Sequence, residues 1–244
     1  MILELDCGNS SLKWRLVNSG FHPEDVGRLE LNSEDTASFF CDKRFASVRQ
    51  MILASVVESS AISEICAYFE QILGAGNVFI ASSEKEMCGV KFNYPDVSRL
   101  GVDRCLAMVA AYQYYPGGVL VIDCGSAITA DLVDMRGWHL GGYILPGFDI
   151  LQSSLVSGTS KIRIDSELSV SIDPGDSTVS CVGNGVNLMV VAALERIRLI
   201  AEEKGLKHFC VTGGGVSHVS KLGLCQFDVK EDLVFKGLEM VCPF

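Results

Sequence analysis

The chain has 244 residues and a mass of 26.4 kDa, enough for one large domain or two small ones. Hydrophobic residues make up 48% and charged residues 20%, a balance that excludes long disordered stretches. The net charge of −10, from 20 basic against 30 acidic residues, argues against broad binding to nucleic acid or an anionic membrane, though a local pocket with a metal can still hold a small anion.

In chain order, residues 2–6 read as a buried strand and residues 12–17 as its hairpin partner across a Gly/Asn/Ser turn. Residues 26–31 alternate apolar and polar, as a third strand does. Residues 34–47 are weakly helical, and residues 51–57 form an apolar, β-rich run. Residues 60–73 carry helical spacing in Ile62, Ile65, Tyr68, Phe69 and Ile72, and residues 78–81 make a short strand. Residues 83–99 read as a polar connection, and residues 102–115 as an amphipathic helix that stops at Pro116-Gly117-Gly118.

The theme then repeats. Residues 119–123, 129–134 and 138–144 predict three strands, and residues 148–157 a helix. Residues 158–178, rich in Ser, Thr, Asp and Gly, read as a long loop. Residues 179–204 predict a long helix with a place to bend at residues 183–185. Residues 208–212 form a strand that runs into Gly213-Gly214-Gly215, followed by a short helix, strand and helix. Strands alternating with helices in both halves predict α/β architecture, with binding sites beyond strand ends and between the halves.

The repeat is visible letter by letter. Residues 2–17 read ILELDCGNSSLKWRLV and residues 119–134 read VLVIDCGSAITADLVD. Asp6 and Asp123 lie 117 residues apart, close to half the chain. This divides the protein into residues 1–116, with the first turn, and residues 117–244, with the second turn and the glycine-rich turn. Two such halves would face each other across a cleft, each offering one carboxylate at a strand–turn–strand. Glycine lets that backbone turn tightly and approach a ligand, and the aspartate can hold a cation directly or through water.

Each motif also has an ordinary structural reading. In Asp6-Cys7-Gly8-Asn9-Ser10-Ser11-Leu12-Lys13 the amides can nest phosphate oxygens, and Lys13 can reach a phosphate, but Asp, Gly, Asn and Ser favour turns without any function. In the second copy Asp123 suits a cation and Ser126 a phosphate oxygen, or the aspartate simply caps amides. Gly101-Val102-Asp103-Arg104 sits where a polar loop enters a helix. Asp103 there is either a base that aims an attacking hydroxyl or a helix cap, and Arg104 offers a fork for a carboxylate. Gly141-Gly142-Tyr143-Ile144-Leu145-Pro146-Gly147 suggests close packing at a strand end. Thr212-Gly213-Gly214-Gly215 makes room for a ring or phosphate but is not a P-loop, since no Gly-Lys-Ser/Thr follows.

His22, His139, His208 and His218 show no ligand spacing and read as surface or packing residues. The ten cysteines are scattered, with no CxxC pair and no zinc spacing, which suggests a reducing cytoplasm. Glu4 and Asp6 interrupt any signal-peptide pattern, and the apolar runs are too short to suggest a membrane helix.

Taken together and in this order, residues 6–13, 101–104, 123–129, 141–147 and 212–215 resemble the type III pantothenate kinases. That family belongs to the superfamily of acetate and sugar kinases, actin and the large heat-shock chaperones. The resemblance implies two similar ribonuclease H-like halves, each a mixed sheet with helices outside. It implies a homodimer that completes its pocket at the interface; composition and cysteine usage add the expectation of a cytoplasmic protein with neither nucleic acid nor membrane as partner. The implied reaction is phosphorylation of pantothenate on its primary hydroxyl by ATP, the first step towards coenzyme A, with Mg2+ and a monovalent cation, K+ or NH4+.

Carried over by position, Asp6, Cys7, Gly8, Asn9, Ser10, Ser11, Leu12 and Lys13 would line the ATP phosphates, with Asp6 on the divalent ion, through water. Asp103 would accept the proton, and Gly101, Val102, Asp103 and Arg104 would contact pantothenate, with Tyr94 and Thr178. Asp123 would hold the monovalent cation, and Ser126 would contact ATP. Ser10 and Ser126 stand where the family often has threonine, and both keep the hydroxyl. Cys7 and Cys124 are expected to point into the packed core. The alternatives are another small-molecule kinase of this fold, a phosphatase, and a silent regulator that keeps the nucleotide fold.

Overall fold

The computed structural model describes residues 1–30, 36–160, 162–164, 170–223 and 226–244. They form two compact units, Met1–Ala110 with Leu233–Phe244, and Ala111–Asp232.

The first unit is built on β1 (Ile2–Cys7), which pairs antiparallel with β2 (Ser11–Val17) and parallel with β4 (Gln50–Ser55). β3 (Pro23–Glu30) and β5 (Val78–Ile80) complete the order β3-β2-β1-β4-β5. The central strands read as continuous apolar runs because both faces are covered. Leu3, Leu5, Met51 and Leu53 are buried, each contributing about 1.5–3 kcal/mol. β3 is an edge strand, largely exposed, and carries Pro23 and acidic residues that blunt further pairing. Short α1 (Thr36–Phe39) and a 3₁₀ turn at Lys43–Phe45 replace the weak helix expected over 34–47.

α2 (Ser60–Leu73) starts where Ser59 Oγ accepts from Ile62 N and ends at Gly74, whose φ of 85° only glycine adopts readily. Its Ile62, Ile65 and Phe69 pack on the sheet side. The polar connection of residues 83–99 contains a small hairpin, β6 (Glu86–Met87) with β7 (Val90–Lys91), and a 3₁₀ turn at Val97–Arg99. α3 (Val102–Tyr114) follows.

The second unit repeats the plan strand for strand. β8 (Val119–Cys124), β9 (Ala127–Val133), β10 (His139–Pro146), β11 (His208–Thr212) and β12 (Asp228–Val229) stand in the order β10-β9-β8-β11-β12. β8–β9 and β9–β10 are antiparallel, and β8–β11 and β11–β12 parallel, as in the first unit. α4 (Phe148–Gly158) and α5 (Thr178–Glu203) pack together, and α6 (Val216–Lys221) follows β11. α5 runs unbroken through residues 183–185. It is long and apolar enough by composition to cross a membrane, but its Val190, Val191, Leu194, Ile197 and Ala201 fill the core of this unit. The residues described between α4 and α5 form neither helix nor strand.

One feature departs from an even division of the chain. α7 (Leu233–Val241) returns to the first unit and packs on β1 and β4. A Cβ on Gly237 would fall 2.1 Å from Leu106 O, so α7 presses on the backbone of α3. Arg15, buried on β2, holds α7 in place. Its guanidinium binds Glu4 at 2.6–2.7 Å and Glu239 at 2.6 Å, and lies 4.3 Å from the centre of the Phe235 ring. Lys236 completes the group with Glu239 at 2.9 Å. Burial pushes Glu4 up to about 7, against the pull of Arg15.

Candidate active site

The first acidic turn closes a hairpin. Asp6 pairs with Lys13 in the β1–β2 register, Cys7 with Leu12, and Gly8 N donates to Ser11 O at 3.0 Å. Asp6 is mostly buried and its Oδ2 lies 3.6 Å from Lys13 Nζ, which reaches solvent. Cys7 and Leu12 are buried in the core of the unit, so at these two positions the side chains point away from the turn and only the main chain is available there. Gly8, Asn9 and Ser10 form the tip, and Ser11 opens β2.

The Gly-Val-Asp-Arg piece lies close to this turn. Val56 N donates to Cys7 O at 3.1 Å, and Val56 Cγ1 stands 3.6 Å from the place of a Cβ on Gly101. α3 begins at Val102, so Asp103 sits in its first turn, where a carboxylate is favoured by the helix dipole. Asp103 Oδ1 accepts from Arg104 N at 2.7 Å, and a Cβ on Gly101 would fall 2.5 Å from that oxygen. Glycine at 101 therefore leaves the space the carboxylate occupies. Asp103 is therefore inside the helix rather than its N-cap, and the bond from its neighbour's N–H fixes where Oδ1 points. Arg104 is buried, and its Nη1 donates to Tyr94 Oη at 3.5 Å. Val102 is buried beside them.

Lys85, which the sequence did not single out, supports this corner. Its Nζ donates to Tyr94 O, and to Pro95 O at 3.3 Å. Ser83 Oγ donates to Leu100 O at 2.6 Å, tying the same connection to the start of the Gly-Val-Asp-Arg piece. No local pattern marks these residues, because their partners are main-chain carbonyls 9 to 17 positions away.

In the second unit Asp123 occupies the same place in β8 as Asp6 in β1, paired with Thr129 on β9. Gly125 N donates to Ala127 O at 3.0 Å, leaving Ser126 exposed at the tip. The two other glycine motifs pack onto this turn. Gly147 N donates to Ser126 O at 3.0 Å, and a Cβ on Gly147 would fall 2.4 Å from that oxygen. Gly215 N donates to Cys124 O at 2.8 Å. A Cβ on Gly213 would fall 2.2 Å from Asp123 Oδ1, at a φ of 95°. Burial drives the Cys124 thiol up to about 12, so it stays protonated and inert in the core. Thr178 is the first residue of α5, exposed, next to the Ser177 cap.

The donors here suit hard cations. Among the described residues no group of three His, Cys, Asp or Glu forms a metal cage. A magnesium ion needs no such cage, since it usually keeps several waters and takes one or two carboxylates plus substrate phosphates. Asp6, one residue before the end of β1 and next to the Gly8–Ser11 turn, fits that role. At Asp123 only glycine at 213 lets the turn close against Oδ1, and a carboxylate oxygen is the donor type that a hard cation takes.

Three of the four histidines pack against other side chains, and His22 is exposed. His139 Nε2 lies 3.0 Å from Asp131 Oδ1 in the interior, His208 stacks on Tyr115, and His218 packs on Phe148.

Comparison with known proteins gives a consistent result. Solved structures with similar folds include a Sinorhizobium meliloti protein described as a 2-dehydro-3-deoxygalactonokinase (TM-score 0.61, 14% identity, covering 98% of this chain and 95% of the other). Another is described as a Baf family transcriptional activator from Campylobacter jejuni (TM-score 0.58, 20% identity, covering 98% and 96%). At such identities these similarities establish the duplicated α/β fold alone. Proteins named type III pantothenate kinase from Pseudomonas paraeruginosa and Pseudomonas putida are 36% and 38% identical over their alignments, which cover all of this chain and 99% of each relative. The profile of the same family matches residues 2–199, a span that contains both acidic turns and the Gly-Val-Asp-Arg corner. With motif order, fold and full-length similarity in agreement, the chain belongs to the type III pantothenate kinase family.

Proposed function

We propose that this enzyme transfers the γ-phosphoryl group of ATP to the primary hydroxyl of pantothenate, giving 4'-phosphopantothenate in the first step of coenzyme A synthesis. The observation that carries this reading is the corner at the start of α3. There a carboxylate, Asp103, has its Oδ1 fixed by Arg104 N, and a buried guanidinium, Arg104, lies next to a tyrosine hydroxyl. Pantothenate offers a carboxylate for the Arg104 fork and an alcohol for the Asp103 base.

Phosphoryl transfer passes through a loose transition state, so positioning and charge neutralisation dominate. Asp103 takes the hydroxyl proton as the alcohol oxygen bonds to the γ-phosphorus. The bond from that phosphorus to the bridging oxygen breaks, and ADP leaves. Amides of residues 8–11 and Lys13 take the phosphates, and Ser126 contacts ATP. Asp6 would hold Mg2+ through water and Asp123 would hold K+ or NH4+; bound there, these ions would neutralise charge on the phosphates. Tyr94, Gly101, Val102, Arg104 and Thr178 are assigned to pantothenate.

The same reading makes the enzyme a cytoplasmic homodimer. It is supported by apolar side chains that α4, α5 and β10 leave exposed, among them Ile144 at 63%, Met189 at 60% and Leu188 at 52%, a surface that a second copy would cover. None of the nine described cysteines is in a disulfide, in keeping with a reducing compartment. The test is a coupled assay with ATP, Mg2+ and K+ against pantothenate, sugars, acetate and no acceptor. Turnover specific to pantothenate is expected. Turnover with another acceptor only, or phosphate release without any acceptor, would overturn the assignment.

A further inference from the structure

Two buried asparagines interrupt the apolar face of α5. Asn184 and Asn187 lie one turn apart, among Val182, Val186, Val190 and Val191. Buried amides are costly unless their hydrogen bonds are made. Both side chains reach out of the helix to the segment that precedes it: Asn184 Nδ2 donates to Asp173 O at 2.7 Å, and Asn187 Nδ2 to Ser171 O at 2.9 Å. The same segment is laid against the first turn of α5 further on. Cys181 Sγ donates to Gly175 O, a Cβ on Gly175 would fall 2.4 Å from Cys181 N, and Ser177 and Ser180 form a reciprocal cap. Residues 171–177 are thus a strap tied along α5, and the next residue is Thr178.

Asn187 has a second connection. Since its Nδ2 must donate to a carbonyl, its Oδ1 is the atom that faces His218 Nε2, at 2.7 Å. Nε2 therefore carries the proton and donates. Burial holds the His218 imidazole below its usual pKa, with Lys221 adding to that effect and Asp149 opposing it. His218 belongs to α6, which continues directly from the glycine turn whose Gly215 binds Cys124 O beside Asp123.

We propose that Asn187 and His218 are positioning residues that couple the Asp123 turn to the strap that leads into Thr178, so that the cation and nucleotide side of this unit and its pantothenate-contacting end are set together. The roles of the two ends rest on the reading of function above, while the coupling itself is a statement about this unit alone. Neither residue touches the reacting atoms. The link is three hydrogen-bonded or covalent steps from Gly215 to Ser171, in a packed interior where small shifts are transmitted rather than absorbed.

The experiment compares Asn187→Ala, Asn184→Ala, His218→Leu and His218→Gln with the wild type. One readout is KM and kcat for each substrate. The other is the rate of tryptic cleavage after Arg163, exposed in the connection that leads to the strap, measured on protein without substrates. His218→Leu removes the His218 N–H from the buried Asn187 Oδ1, and His218→Gln replaces one N–H with another. The expected result for Asn187→Ala and His218→Leu is cleavage about fivefold faster or more, and KM for pantothenate and for ATP both raised by about fivefold or more, with kcat changed less, as for one lost buried hydrogen bond. Asn184→Ala raises KM for pantothenate alone, and His218→Gln stays close to wild type.

Cleavage after Arg163 unchanged in His218→Leu, or His218→Gln as impaired as His218→Leu, would overturn the coupling. Should Asn187→Ala fail to fold, the two His218 variants decide the matter. A wild type inactive on pantothenate would remove the reading of function instead, and the proteolysis would still decide the coupling.

Discussion

Gly101→Ala separates catalytic geometry from stability. A Cβ at 101 would lie 2.5 Å from Asp103 Oδ1, while its other near neighbours, Asp103 Cγ and Val56 Cγ1, stand at 3.6 Å. An ordinary C···O contact is about 3.3 Å, so the carboxylate oxygen must retreat by about 0.8 Å. The atom that gives way is the end of a flexible side chain, and the backbone at 101 needs no left-handed conformation, so the fold is spared. The loss is the 2.7 Å bond from Arg104 N, about 1 kcal/mol, or a few degrees in Tm at this size. Catalysis is less tolerant. A displacement of about 1 Å of a group that must meet an alcohol costs up to ~10²-fold. The expected variant is folded, with Tm within about 4 °C of wild type and kcat lower by ~30- to 100-fold. Thermal unfolding and the coupled ATP/pantothenate assay measure the two quantities on one sample. A folded Gly101→Ala enzyme with kcat within about threefold of wild type would refute the claim that the Asp103 carboxylate, held over Gly101, aims the hydroxyl.

Four further outcomes are expected. Asp103→Asn should lower kcat by ~10²–10⁴, the range for a positioned base, and near-full activity would remove Asp103 from the mechanism. Turnover should rise when K+ replaces Na+, and Asp123→Asn should weaken that response; equal wild-type rates in the two salts would count against a cation at Asp123. Arg15→Ala leaves Glu4 buried without its cation and loosens α7, so urea unfolding should show a loss of about 3–5 kcal/mol, and a loss below ~1 kcal/mol would mean the group contributes little. Glu4, raised from 4.5 to about 7, binds its proton more tightly in the folded state. Its contribution is therefore present at low pH and fades as pH rises from about 4.5 to about 7, by no more than about 3 kcal/mol. Unfolding of wild type against Glu4→Gln across that range should show the wild type losing ground with rising pH, and a constant difference would contradict the assignment.

Much of the molecule was legible in its residues. The two Asp-Cys-Gly phrases became equivalent strand–turn–strand units, with Asp6 and Asp123 each one residue short of the strand end. The hydrophobic period placed nearly every strand and helix, since alternation and helical spacing are local properties of the chain. Family membership was readable for a related reason: a phosphate turn and a strand-to-helix corner need particular small and acidic residues in a short stretch. The hairpin in residues 83–99 escaped notice because two strands of two residues have no period to detect.

What the tertiary structure alone decided is which distant groups meet. Nothing in residues 233–241 announces that this helix crosses back to β1 and is held there by Arg15, 224 positions from Glu239. Nothing near Lys85 announces Tyr94 O, and nothing near Asn187 announces His218 or Ser171 O. Composition and spacing encode the shape of each segment through backbone sterics and burial, which act over a few residues. The partners of a side chain across a core depend on strand order and packing, which act over the whole chain and leave no mark in the letters on either side.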